Sequence, residues 1–455
     1  MSARRKIVAD VAFLLALMTY ILAGVTLVPP HGDEYMQMSM ARDTFYAANG
    51  QGERLASQPP LQPDTEPYLR VINGTINKWL IGLLWLGSGR TEVALPDIYA
   101  WGMTHQWNIT DGRVPTDDAL HLARLPSAVL TALGVLPLFW LGWQLRRRSV
   151  AYPAVVIYAL HPAILLNGRR AMMEGGLLCL TLLLLAWAVA MIRANHTAPA
   201  SSATQGIVAR LPSSLRWALL GMGCGLAMSA KHTAILVVIA APVGVVIATL
   251  IRRRTLTVIA YQVVSVVIAA LCALLSFAAL NPGYWRDPLG AVQAVIAARA
   301  ELLSRQTTDP SLAYASGGQR LEALVIQPFL RRLQYFEAPT WAGLIDTQVA
   351  AYERTSLDGL VAGEGVGGVI ISLLLWALTV LAMVGVVALA WEALHNNLLT
   401  MPILLWSGLT LLGSVSIPLD WGRYYLPLTL VSIVAAAYAL GRVLVRRDAA
   451  ESAVP

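Results

Sequence analysis

The stretch Val28-Pro29-Pro30-His31-Gly32-Asp33-Glu34-Tyr35 decides how this chain is read. It ends an apolar run, Val8 to Val28, that is long enough to cross a bilayer, and it sets two carboxylates just past the exit. Acids at that position are poor anchors. They suit chemistry at a membrane surface, where a carboxylate can take a proton from an incoming hydroxyl.

Composition agrees with a membrane setting. The chain is 57% hydrophobic and 13% charged, against roughly 45–50% and 25% in soluble domains. Such sparse charge could not cover a soluble surface, so the expectation is an integral, multi-pass protein of the cell membrane. Basic clusters recur between apolar runs: Arg4-Arg5-Lys6, Arg146-Arg147-Arg148, Arg252-Arg253-Arg254, and Arg442 with Arg446-Arg447. The net charge of +7 therefore speaks for membrane orientation and not for nucleic acid. Cys179, Cys224 and Cys272 all lie in apolar runs, without metal-ligand spacing, and read as small buried hydrophobes.

Runs of sufficient length predict ten spans, near 8–28, 125–145, 151–168, 172–192, 217–230, 233–251, 256–280, 366–391, 398–418 and 424–441. The first has a positive start but exceeds a signal core and lacks a clear cleavage site, so it reads as a retained span. With both termini in the cytoplasm and spans alternating, every basic cluster falls inside. Two long segments, 29–124 and 281–365, then lie outside. Asn77 to Leu86 and Leu289 to Leu303 carry apolar residues at helical spacing and read as helices in the outer interface, the second capped by Asp287-Pro288. Thr307 to Gln319 reads as a mobile loop. The whole, 1–455, is expected to be one membrane-embedded unit of all-α class.

The position of the polar residues carries the functional reading. Runs 125–145, 256–280, 366–391, 398–418 and 424–441 hold no Asp, Glu, Lys, Arg or His. Such residues gather at the predicted outer ends: Asp33 and Glu34, Arg124, Arg169-Arg170 with Glu174, Lys231-His232, Arg286-Asp287, and Asp420 with Arg423. Transporters place ionisable groups near the midplane, in broken helices. A scaffold has no need of carboxylates and guanidiniums at one depth. Transfer from a lipid phosphate needs both: cations for the departing phosphate and a carboxylate for the acceptor hydroxyl. His31 with two acids fits no specific metal template. No cofactor is called for, and a divalent ion stays open.

Six landmarks then appear in the order of a known family. They are Asp33-Glu34 after the first span, Arg124-Leu125-Pro126-Ser127 opening the second, and His161-Pro162 leading to Arg169-Arg170-Ala171-Met172-Met173-Glu174. Gly225-Leu226-Ala227 to Lys231, Asn281-Pro282, and Arg423-Tyr424-Tyr425-Leu426-Pro427 follow. The chain resembles the polytopic glycosyltransferases of the GT-C superfamily, in the branch of the dolichyl-phosphate-mannose protein mannosyltransferases and the bacterial aminoarabinose transferase. Where the mannosyltransferases carry His-Pro-Pro-Leu-Gly-Lys, the stretch Val71 to Lys78 keeps only Lys78 and the following Trp79-Leu80-Ile81.

The resemblance implies a mannosyltransferase-like, inverting enzyme of cell-envelope glycosylation. Its donor would be a polyprenyl-phosphate sugar, its acceptor a hydroxyl on a lipid, glycan or protein, and its active site external or periplasmic. Asp33 would be the catalytic carboxylate, with Glu34 beside it. Lys231, Arg423 and Arg170 would hold the donor phosphate, and Glu174, Lys78, His232 and Tyr424 would position substrate. The alternatives from other classes are a transporter or flippase of lipid-linked sugars and a non-catalytic assembly factor.

The topology is directly testable. Single cysteines introduced at 310–318 should be labelled by an impermeant maleimide from outside the cell. Labelling only after permeabilisation would invert the scheme.

Overall fold

A computed structural model describes residues 3–63, 65–196, 207–355, 366–395 and 397–451. Among them, eight helices are long and apolar enough to cross a membrane: Arg4–Ala23, Asp117–Arg146, Glu174–Asn195, His232–Arg252, Leu256–Leu280, Gly367–Leu394, Leu398–Ser416 and Gly422–Leu444. The pair Arg148–Leu160 and Pro162–Arg169, bent by 61°, makes a ninth if counted as one span. The remaining expected span, 217–230, falls in the helix Ser213–Ala230, whose serines, glycines and Arg216 dilute its apolarity. The architecture is an all-α membrane bundle, as the hydrophobic pattern required.

The bend at His161 has a local cause. Pro162 has no N–H to donate and disfavours helical backbone in the residue before it. His161 is accordingly extended, at φ −69° and ψ 119°, and its Nε2 lies 2.6 Å from the Pro328 carbonyl oxygen. The kink carries Arg169 and Arg170 inward. Arg169 donates to the Tyr20 and Ile21 carbonyls, and Arg170 to those of Pro29 and Tyr335. Unpaired backbone carbonyls at the end of the first span are thereby satisfied.

Glu174–Asn195 and Gly422–Leu444 form the interior of the bundle, whereas Leu256–Leu280 and Gly367–Leu394 present bare apolar faces, as helices facing lipid do. The two ends of the bundle differ in chemistry. At one end Arg148 and Tyr152 both donate to Asp10, and Arg146, Arg442 and Tyr438 surround Glu392. At the other end lie the segments 29–116 and 281–355, folded as short helices over the span ends. Helices are present where the amphipathic patterns predict them, at Ile76–Gly87 and Pro288–Gln306, and Asp287 caps the second by accepting from the Gly290 N–H at 2.9 Å. The expected loop 307–319 is tied down. Tyr314 N–H donates to the Pro418 carbonyl at 2.8 Å and Asp420 N–H to that of Leu312 at 3.0 Å.

The six sequence landmarks converge at this end. Thr75 N–H donates to the Ser229 carbonyl at 2.6 Å, and Asn281 Nδ2 donates to Ser229 Oγ at 2.7 Å. Gly74 is required there, since a Cβ on it would lie 1.9 Å from the Ala230 carbonyl oxygen. Arg124 forks onto Glu34 at 2.8 and 2.9 Å and also donates to the Val25 and Val28 carbonyls. This fully buried pair clamps the helix Gly32–Met40 to the helix Asp117–Leu133.

Removing one member of a buried pair strands the other's charge. Arg124→Met should cost about 3–5 kcal/mol, read as a lowered unfolding temperature in detergent. The double variant Glu34→Gln/Arg124→Met should recover much of that loss. Equal losses in the two variants would refute the clamp.

Candidate functional site

His31 sets up the first part of the site. It caps the helix Gly32–Met40: the Asp33 N–H donates to His31 Nδ1 at 3.1 Å, and the His31 N–H donates to Glu34 Oε2 at 3.0 Å, forming a capping box. Since Nδ1 accepts, the ring proton sits on Nε2, which donates to Glu337 Oε2 at 2.6 Å. Glu337 Oε1 in turn lies 3.0 Å from Arg423 Nε, and Arg423 Nη1 donates to Asp33 Oδ2. The result is a chain, Asp33–Arg423–Glu337–His31, closed on itself through the Asp33 backbone. Gly32 leaves room for the aromatic wall behind it, because a Cβ there would meet the Trp101 ring at 2.5 Å.

Asp33 keeps about a third of its side chain open (35%), while Glu337 is buried. Burial alone would raise the Asp33 pKa, but the Arg423 guanidinium outweighs it and holds the carboxyl below its ordinary value. Glu337 is likewise opposed by burial and pulled down by Arg423, His31 and Arg170. Both are carboxylates at neutral pH.

A second ion pair faces this chain across a cavity of about 510 Å³. Lys231, at the end of the helix Ser213–Ala230, donates to Glu174 Oε1 at 2.6 Å and lies 5.8 Å from the Tyr424 ring centroid. Glu174 Oε2 is buried without a partner, and so is the Trp421 indole nitrogen on the same cavity wall. Buried polar atoms left open in this way are costly unless a ligand satisfies them. The cavity adjoins an apolar groove of about 1050 Å³, lined by Phe277, Val292, Ile296 and Leu303 among others. Lys231, Arg299, Leu302, Gln306 and Tyr424 border both spaces. Arg299 donates to the Ile72 carbonyl, and no carboxylate pairs with it among the described residues.

The expected site residues therefore separate into two groups. Asp33, Glu174, Lys231, Arg423 and Tyr424 line the cavity, and His232 lines the groove, its Nε2 without a partner. Glu34, Arg170 and Lys78 do not. Both Glu34 oxygens are occupied, by Arg124, by the His31 N–H and by the Ala171 N–H at 2.8 Å. Arg170 is spent on the Pro29 and Tyr335 carbonyls. Lys78 is buried against Asp43 at 2.6 Å, which also takes a fork from Arg70. All three brace the segments that frame the cavity. Sequence reasoning missed Glu337, Arg299 and Trp421. Glu337 had a signal, as a lone acid in the apolar run Tyr335-Phe336-Glu337-Ala338-Pro339. Arg299 had only its place on an amphipathic helix.

No group of three or more His, Cys, Asp or Glu among the described residues is arranged to hold a metal ion. The cavity acids are each engaged with a cation, Asp33 and Glu337 with Arg423 and Glu174 with Lys231, a donor set that does not fit a metal.

No family model matches the sequence, and no curated protein is similar to it in sequence. Solved structures are similar in fold. The archaeal oligosaccharyltransferase AglB from Archaeoglobus fulgidus, in complex with an inhibitory peptide and a dolichol-phosphate, matches with a TM-score of 0.50 at 12% identity, over 97% of this chain and 52% of its own. The present chain thus spans about half the length of that protein. An Archaeoglobus fulgidus oligosaccharyltransferase with Zn and sulfate matches at 0.49 and 12% identity, over 96% of this chain and 49% of its own. ArnT from Cupriavidus metallidurans, bound to undecaprenyl phosphate, matches at 0.41 and 14% identity, over 98% and 79%.

The ionisation of the site has a pH consequence. Folding depresses the pKa of Asp33 and Glu337, so the stability they contribute is complete above their ordinary values of 3.8 and 4.5 and drains as pH falls through the lower folded values. Thermal stability should therefore decline on acidification below about pH 4, and Glu337→Gln should flatten that slope. An unchanged slope would mean that Glu337 is not ionised in the fold.

The all-α bundle, with short helices folded over one end, thus has a fold similar to that of the AglB structure.

Proposed function

We propose that this protein is an inverting membrane glycosyltransferase that moves a sugar from a polyprenyl phosphate to an acceptor hydroxyl at the external membrane face. The observation that carries this reading is the meeting of an apolar groove with a polar, carboxylate-bearing cavity at Arg299, Lys231 and Tyr424. A donor that is half hydrocarbon and half sugar needs those two spaces joined, with a cation at the joint.

The chemistry sets the demand on each side chain. The bond between the sugar's anomeric carbon and the phosphate oxygen breaks. The acceptor oxygen bonds to that carbon from the opposite face, and the acceptor proton must leave. The phosphate changes from a diester monoanion to a monoester and gains negative charge as it departs. Arg299, free of any carboxylate among the described residues, offers that charge a guanidinium anchored on the Ile72 carbonyl. Lys231 adds to it from Glu174. Asp33 accepts the hydrogen bond of the acceptor hydroxyl and then its proton.

A carboxylate held low by an arginine is a weak base on its own. Arg423 relieves this, because it is shared. As charge builds on the phosphate side, its hold on Asp33 weakens and the basicity of Asp33 rises. The open Glu174 Oε2 and Trp421 N–H are suited to the sugar hydroxyls, and Trp101 and Tyr68 give it flat walls. The acceptor is a hydroxyl-bearing lipid, glycan or protein approaching from the His31–Trp101 side.

Purified protein should transfer or release sugar from at least one member of a panel of polyprenyl-phosphate sugars. Asp33→Asn should lower kcat by about 10²- to 10⁴-fold. Arg299→Ala should lower kcat/KM for the donor by about 10- to 100-fold, the worth of a lost charge-assisted contact. Full turnover in Asp33→Asn would overturn the catalytic assignment, and movement of lipid between leaflets without transfer would favour a flippase.

A further inference from the structure

The opposite end of the bundle holds a pocket that the proposed reaction does not use. It has a volume of about 280 Å³, between the end of the helix Glu174–His196 and the turn joining Ile235–Arg252 to Leu256–Leu280. Arg252, Arg253, Asn195, Thr249, Tyr261 and Gln262 line it. At this end Arg146 and Arg442 pair with Glu392, and Arg148 pairs with Asp10. Arg252 and Arg253 have no acid partner among the described residues, and no carboxylate lines the pocket. Gln262 is only 4% exposed, and its Oε1 accepts no hydrogen bond. Tyr261 lines the pocket and is itself exposed, and on the same flank of Leu256–Leu280 Val264, Leu271 and Leu275 stand exposed.

We propose that this pocket binds the head group of an anionic glycerophospholipid carrying a free hydroxyl, of the phosphatidylglycerol type. Three requirements meet there. Two unpaired guanidiniums take a phosphate. An open buried carbonyl of Gln262 takes an O–H donor that a choline head lacks. The bare helix face takes acyl chains, which a soluble phosphate ester does not have. Basic pockets between helices at a membrane boundary suit anionic head groups for the same reasons. The site is independent of the transfer reaction and stands whether or not that reading holds.

Native mass spectrometry of the full, delipidated protein tests it. The protein is titrated separately with phosphatidylglycerol, phosphatidylcholine, phosphatidic acid and soluble glycerol 3-phosphate. One phosphatidylglycerol should bind ahead of the others, and Arg252→Ala/Arg253→Ala should weaken it at least tenfold with phosphatidylcholine unchanged. Both arginines are exposed, so the fold should persist, as an unchanged unfolding temperature would verify. Gln262→Leu should erase the preference for phosphatidylglycerol over phosphatidic acid. Arg4→Ala/Lys6→Ala, which removes equal charge elsewhere on the same end, should change nothing. Undiminished binding in the Arg252/Arg253 variant, an equal loss in the Arg4/Lys6 control, or equally tight glycerol 3-phosphate would each overturn the proposal.

Discussion

The contact between Asp33 and Arg423 joins residues 390 positions apart, and the arrangement of the site depends on it. Asp33 opens the first helix beyond the first span, and Arg423 opens the last span. Between them runs Glu337, from the second long segment, bridging Arg423 to His31. Three regions of the chain that have no sequence proximity are thus held by one line of charges. In the low-dielectric setting of a membrane boundary, each of these groups would be costly alone. Together they keep two carboxylates ionised at the wall of a cavity. They also leave Asp33, the more exposed of the two, facing open space.

The braces behind this line are of the same kind but sealed. Glu34 beside Asp33 shows the division clearly. One residue along the helix, its carboxylate turns inward and is saturated by Arg124 and two backbone N–H groups. Arg170 and Lys78 are likewise enclosed. Adjacent residues of identical chemistry therefore take opposite roles, because successive side chains on a helix point about 100° apart. The cavity receives one and the core the other.

Much of this was legible in the sequence, for physical reasons. Apolar runs report spans because a bilayer tolerates little else, and span-end charges report depth because they are expensive elsewhere. Asp33, Glu174, Lys231, Arg423 and Tyr424 were accessible to that reasoning, and all line the cavity. Depth, however, does not report direction. Glu34, Arg170 and Lys78 have the right level and the wrong orientation, which only packing decides. Glu337 and Arg299 lay in a long segment between spans, without span periodicity, where sequence gives no depth at all. The loop 307–319 read as mobile from its Ser, Gly and Asp content, yet its backbone pairs with residues 418–420, a long-range contact that composition does not encode.

The joint between groove and cavity is the central claim, and a structure of the protein with a bound polyprenyl phosphate tests it most directly. The account predicts the isoprenoid in the groove lined by Phe277, Val292 and Ile296, with its phosphate in contact with Arg299 and facing Asp33 across the cavity. A phosphate seated away from Arg299, or an isoprenoid chain running along another face of the bundle, would contradict it.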